Sequence, residues 1–177
     1  MILGLDISTS ITGATILDKD GEMLYNQSWD TRNKKKFPTL YDKAAFIKHR
    51  LWEIDNEHSI SSIFIEQSLQ SFRSGFSSAH TLSTLSRFNG IISWVCYEIF
   101  EQKPEMLAAV SARKLVGVVK KKGENAKEKS FKFVIDTVPK FMVEYTKFGN
   151  PRPGTYDRSD SYIIAKAGLI KCESNKF

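Results

Sequence analysis

The chain has 177 residues, 41% of them hydrophobic, which suits one domain of ordinary size with a real core and leaves no room for a second. Lys and Arg number 26 against 20 Asp and Glu, a net charge of +6 that suits a polyanionic substrate, which an acidic protein would repel. Cys96 and Cys172 lack CxxC spacing, and His49, His58 and His80 are scattered, so neither a zinc site nor a disulfide framework is expected. No apolar run reaches membrane-spanning length, and a strand is expected from the initiator methionine onward with no signal peptide before it. Both readings suggest a cytoplasmic protein, or one in the host-cell cytoplasm if a phage encodes it.

In chain order, residues 2–7 read as a buried central strand ending in Asp6. Residues 12–17 and 22–29 read as an antiparallel pair around the turn Asp18-Lys19-Asp20-Gly21. A basic loop, Arg32-Asn33-Lys34-Lys35-Lys36, precedes a helix on which Leu40, Ala44, Ile47, Leu51 and Ile54 recur at helical spacing. Residues 62–66 form a fourth, apolar strand ending in Glu66. The Ser/Gly-rich loop 67–78 carries Phe72, Arg73 and Phe76. Residues 79–100 read as a long helix, one-sided at Leu82, Leu85 and Phe88 and apolar nearly all round from Ile91 to Tyr97, as if buried on two sides, under further structure or against a second subunit.

A fifth strand is expected over 106–110 and a short helical turn over 111–116. The basic loop 120–125 leads into a helix over 126–138 with Phe131, Val134, Ile135 and Val138 inward. Pro139 ends that helix, and a Pro/Gly loop over 147–154 follows. The last helix starts near Asp157 and carries Ile163, Ile164, Ala167 and Leu169. The order is β-β-β-α-β-α-β-α-α.

The placement of four acids carries the chemistry. A carboxylate at the end of a buried strand is costly unless something cationic meets it. Asp6 and Glu66 both end apolar strands. If those strands are parallel neighbours, the two acids meet at one sheet edge. Asp157 and Asp160, three apart, share one face of the last helix and can dock beside them. Hard divalent cations take oxygen ligands, so the set Asp6, Glu66, Asp157 and Asp160 reads as a metal site in a nuclease.

Three segments in order resemble the RuvC family of Holliday-junction resolvases, within the ribonuclease H-like superfamily. They are Ile2-Leu3-Gly4-Leu5-Asp6 with Thr12-Gly13, then Ile65-Glu66-Gln67, then Asp157-Arg158-Ser159-Asp160-Ser161-Tyr162-Ile163-Ile164-Ala165. The last resembles the family's DxxDAxxIA helix, and the likeness covers about the whole chain. Ser8 stands where the family usually has glycine, and the loop after Glu66, the early hairpin and the 120–125 region look expanded, as in divergent phage resolvases.

The resemblance implies a single ribonuclease H-like domain over 1–177, α/β, with a five-stranded mixed sheet and helices on both faces. It implies two Mg²⁺ ions, replaceable by Mn²⁺, held by Asp6, Glu66, Asp157 and Asp160. It implies a lysine near the start of the penultimate helix that helps with phosphate or water. Lys129 in Glu128-Lys129-Ser130 is the best match and Lys127 its rival. The substrate implied is branched DNA, four-way junctions above all, cut symmetrically by a homodimer to leave 5′-phosphates. The dimer contact is expected on helix 79–100.

Phe72 is either a core anchor or a wedge that stacks on a base at the branch point, Phe76 less strongly so, with Arg73 on phosphate. Lys120, Lys121, Lys122 and Lys127 are further DNA-contact candidates. Two rival readings are an ATP-binding actin or sugar-kinase half, suggested by Asp6 to Gly13, and a non-catalytic junction-binding protein on the same fold.

Overall fold

The computed structural model describes residues 1–67 and 78–174. Among them the chain forms strands β1 (Ile2–Asp6), β2 (Ile11–Leu17), β3 (Met23–Asp30), β4 (Ser62–Glu66) and β5 (Glu105–Leu107). The helices are α1 (Leu40–Glu57), α2 (Ala79–Phe100), α3 (Ala109–Val116), α4 (Ala126–Thr137) and α5 (Thr155–Ser174). The expected fifth strand is displaced and shortened to Glu105–Leu107, because α3 already begins at Ala109. That helix replaces the expected short turn and adds one helix to the order.

The strands lie in the order β3-β2-β1-β4-β5. β1 pairs antiparallel with β2 and parallel with β4, β2 antiparallel with β3, and β4 parallel with β5. The β2–β3 connection is set by Asp18, whose Oδ1 accepts from the backbone N–H groups of Asp20 and Glu22, and by Gly21 at φ 84°. The crossover α1 starts at a reciprocal cap between Thr39 and Asp42 and buries Ala44, Ile47, Leu51 and Ile54.

Alternation along the strands separates two cores. Leu3, Leu5, Ile63 and Ile65 face α1 and α2, where they meet Leu51, Phe88, Ile92 and Cys96. Ile2 and Phe64 face the opposite layer of α3, α4 and α5, with Val134, Ile163 and Ile164. Helices thus cover both faces of a mixed sheet, as expected.

One burial expectation is corrected, and one side of α2 is left uncovered in the single chain. Ile135 is 40% exposed, because the inward stripe of α4 runs through Ser130 and Val134 and leaves Ile135 on the outside. The second half of α2 buries Ile92, Val95 and Cys96 on one side only, leaving Trp94 63% and Tyr97 48% exposed in the single chain. No described helix is long and apolar enough to cross a membrane.

Candidate active site

The register of β1 and β4 brings the two strand-end acids together. Leu5 pairs with Ile65, so Asp6 and Glu66 follow side by side on adjacent parallel strands. Each lies two residues beyond one that faces α5, Gly4 and Phe64, so both carboxylates point toward α5. Asn89 of α2 fixes the end of β4 by donating from Nδ2 to the Glu66 carbonyl at 3.1 Å.

Two glycines let α5 come close enough. A Cβ on Gly4 would stand 2.4 Å from the Ala165 nitrogen, and one on Gly13 would stand 2.0 Å from the Asp157 carbonyl oxygen. Gly13 is the β2 partner of Asp6, so this approach sets the first turn of α5 beside the end of β1. The seam is held by a buried hydrogen bond of 2.8 Å between the hydroxyls of Thr15 and Ser161. Asn26 Nδ2 adds bonds to Thr15 Oγ1 and the Arg158 carbonyl. Asp157 and Asp160 therefore arrive at the Asp6–Glu66 pair, with Asp160 buried to 2% exposure.

Four carboxylates in so dry a place disturb one another. Burial pushes Asp6 well above the usual carboxylate range, and Glu66 and Asp160 push it further. Burial, then Asp160, raises Glu66 to about 7. Burial also raises Asp157.

Two cations answer this charge. Lys127 Nζ stands 3.8 Å from Asp157 Oδ1 and 3.5 Å from Asp160 Oδ2. Burial alone would lower the Lys127 ammonium, but Asp6, Asp160, Asp157 and Glu66 together hold it above its ordinary value. Arg113 of α3 donates from Nη2 to Asp160 Oδ1 at 3.3 Å and from Nε to Ser130 Oγ at 2.9 Å.

The helix start explains why Lys127 reaches the two aspartates. Asn125 caps α4 by accepting from the Lys127 backbone N–H at 3.0 Å, and Lys127 then leads the stripe continued by Phe131, Val134 and Val138. Lys129 lies off that stripe and pairs with Glu124 at 2.6 Å. Lys120, Lys121 and Lys122 are exposed in the loop just before α4. Phe72, Arg73 and Phe76 lie outside the described residues. Sequence reasoning missed Arg113, which stood in a stretch read as a short turn. The spacing 127-131-134-138 was the available signal for Lys127.

The donor chemistry suits a hard divalent ion, since every acidic group is an oxygen ligand and three, Asp6, Glu66 and Asp157, are raised by burial and mutual repulsion. Among the described residues, no group of three or more His, Cys, Asp or Glu is spaced to hold an ion as the side chains stand. Lys127 and Arg113 supply the positive charge at Asp160 in this arrangement.

A mixed sheet in this strand order, with strand-end acids and a helix-borne acid pair at one end, defines a ribonuclease H-like domain. Comparison with solved structures narrows the fold to the RuvC type. RuvC of T. thermophilus in complex with Holliday junction substrate superposes at a TM-score of 0.64, with 12% identity over 98% of this chain and 94% of that one. A second Thermus thermophilus RuvC structure gives 0.65, with 15% identity over 98% and 96%. The yeast mitochondrial Holliday junction resolvase Ydc2 gives 0.60, with 14% identity over 99% and 82%. At such identities the likeness is one of fold. No protein-family model matches the sequence, and no curated protein matches it.

Proposed function

We propose that this chain is a metal-dependent endonuclease that cuts branched DNA, a divergent member of the RuvC resolvases. The observation that carries the reading is the convergence of Asp6, Glu66, Asp157 and Asp160 at one end of the sheet, with Asp6 and Asp160 buried and Lys127 paired to Asp157 and Asp160. Acids raised by burial and by one another cost stability, and a core with no ligand to hold has no use for them.

Asp6, Glu66, Asp157 and Asp160 are the residues to hold Mg²⁺ or Mn²⁺. Two such ions would supply charge neutralisation at a phosphate and activation of the attacking water. The chain's own groups do the rest. Asp6 and Glu66, fixed at strand ends, are rigid ligands. Arg113, tied to Ser130, orients Asp160 from behind. Lys127 is free to release its carboxylates to a cation and offer its ammonium to the phosphate. The exposed Lys120, Lys121 and Lys122 extend that positive surface along DNA.

The exposed Trp94 and Tyr97, with ring centroids 5.8 Å apart on the side of α2 that the single chain leaves uncovered, support a two-fold dimer through α2. Two equivalent sites then face the two equivalent strands of a four-way junction. Paired hydrolysis in this arrangement leaves 5′-phosphate and 3′-hydroxyl ends.

The test is incubation with labelled junction, fork and linear duplex, with Mg²⁺ and with EDTA. Paired nicks in the junction, with Mg²⁺ only, are expected. Failure to cut any branched substrate, or equal cutting in EDTA, overturns the reading.

A further inference from the structure

The turn between β3 and α1 stands at the same end of the sheet as the carboxylates. β1 runs toward Asp6, β2 leaves antiparallel from Ile11, and β3 returns to Asp30. At the usual strand spacing the start of this turn is about 10 Å across the sheet from the end of β1.

The turn is held firmly on both sides. Thr31 is buried, and its Oγ1 donates to the carbonyls of Thr9 at 3.3 Å and Ser10 at 3.2 Å. Asn33 Oδ1 accepts from the backbone N–H groups of Lys35 at 3.0 Å and Lys36 at 3.2 Å. Phe37 is buried against Phe46, with ring centroids 5.1 Å apart, and Lys43 donates to the Thr9 carbonyl.

On this fixed frame Lys34, Lys35 and Lys36 are all exposed. Arg32, beside them, is neutralised by Asp30 at 2.5 Å, whereas among the described residues none of the three lysines has a carboxylate within 4.0 Å. The ammonium of Lys36 rests 5.3 Å from the Phe37 ring centre. Three consecutive like charges on this turn repel one another, and among the described residues no carboxylate pairs with them. An open depression of about 550 Å³, lined by Asp30, Arg32, Asn33, Lys36 and Phe37, lies alongside. Lys120, Lys121, Lys122 and Lys127 belong to α4 and the loop before it, so the turn 31–37 is a second basic segment, separate in the chain from that one.

We infer that the turn 31–37 is a phosphate-contacting surface that holds a duplex arm of the substrate across the carboxylate site, with Lys34, Lys35 and Lys36 each meeting a backbone phosphate. The inference rests on the proposed function for the identity of the substrate. An offset of about 10 Å spans only a few nucleotides of one strand, at about 3.4 Å each, so the phosphates concerned flank the cut.

The test compares the wild-type protein with the triple variant K34Q/K35Q/K36Q and its charge-keeping counterpart K34R/K35R/K36R. Binding to a labelled junction, and to a linear duplex matched to one arm, is followed by fluorescence anisotropy in EDTA from about 50 to about 200 mM salt. Loss of three phosphate contacts should reduce the slope of log K against log salt by about 3 and weaken binding roughly tenfold or more. The Arg variant should keep both, and all three proteins should melt together because the side chains are exposed.

A Gln variant with the wild-type slope overturns the inference and leaves the nuclease reading standing. A slope change on the junction that is absent on the linear duplex would put these lysines at the branch point and overturn the arm assignment. A wild-type protein that binds with the expected lysine dependence yet never cuts in Mg²⁺ would remove the nuclease reading alone.

Discussion

The two faces of the sheet are packed for different ends. The face toward α1 and α2 is mainly apolar and buries no carboxylate among the described residues, with Leu3, Leu5, Leu51, Ile65, Phe88 and Ile92 excluded from water. The face toward α5 is just as dry at Phe64, Ile163 and Ile164, yet it also buries Thr15, Ser159, Asp160 and Ser161 and ends in Asp6. The first face supplies stability; the second gives some of it up to hold charged groups in place. Raised carboxylates are the sign of that cost, because a group pushed toward its neutral form is one the fold would be more stable without.

The largest expected effect breaks the comparison outright. Asp6→Asn and Glu66→Gln should reduce junction cleavage to background while keeping junction binding. Each should also raise the melting temperature of the metal-free protein near neutral pH, since each removes a disfavoured buried charge. Cleavage near the wild-type rate by either variant would sink the assignment.

A smaller effect separates the two lysines. Lys127→Met should lower the cleavage rate roughly 10²-fold or more, as expected for loss of one preorganised charge. Lys129→Met removes only the Glu124 pair at the helix edge and should stay within about threefold of wild type. The reverse order in single-turnover rates would restore Lys129 as the working residue.

On the apolar face, Phe88→Ala should cost about 3–5 kcal/mol through the cavity it leaves. Denaturant unfolding reads that loss, and a cost below about 1 kcal/mol would mean that this face is not the main support.

The smallest effect is in pH. Glu66 titrates at about 7 in the folded chain against an ordinary 4.5, so the folded state binds its proton more tightly than the unfolded state does. Its contribution is therefore whole below about 4.5 and is lost as pH rises through about 7. The melting temperature of metal-free wild type, measured relative to Glu66→Gln, should fall across that window by about 5 °C. Mg²⁺ should restore it at the alkaline end and have little effect at the acid end. A difference that stays flat with pH would mean that Glu66 is not strained in the metal-free fold.

How far these contrasts could be read beforehand varies with the element. The apolar runs ending in Asp6 and Glu66, the helical spacing of Ala44 to Ile54 and the Asp157–Asp160 pair were legible because each lies within one element. Their positions fix which face of a strand or helix is apolar, and the motif order was enough to expect a five-stranded mixed sheet. The limits of β5 and α3 were not legible. Short elements at a sheet edge are decided by what covers them, here α5 and the end of β4.

The site divides in the same way. Sequence alone determined which acids gather, since strand ends and an i,i+3 pair leave few alternatives once β1 and β4 are neighbours. Only the tertiary structure decided which cations meet them. Lys127 and Lys129 differ by two residues, about 200° around a helix, so the rotation of α4 under α5 brings one to the aspartates and leaves the other on Glu124. Arg113 reaches Asp160 across 47 positions of chain, through a helix whose length the sequence understated. Composition carries no signal for such a contact, because it depends on how three helices pack and not on any one of them.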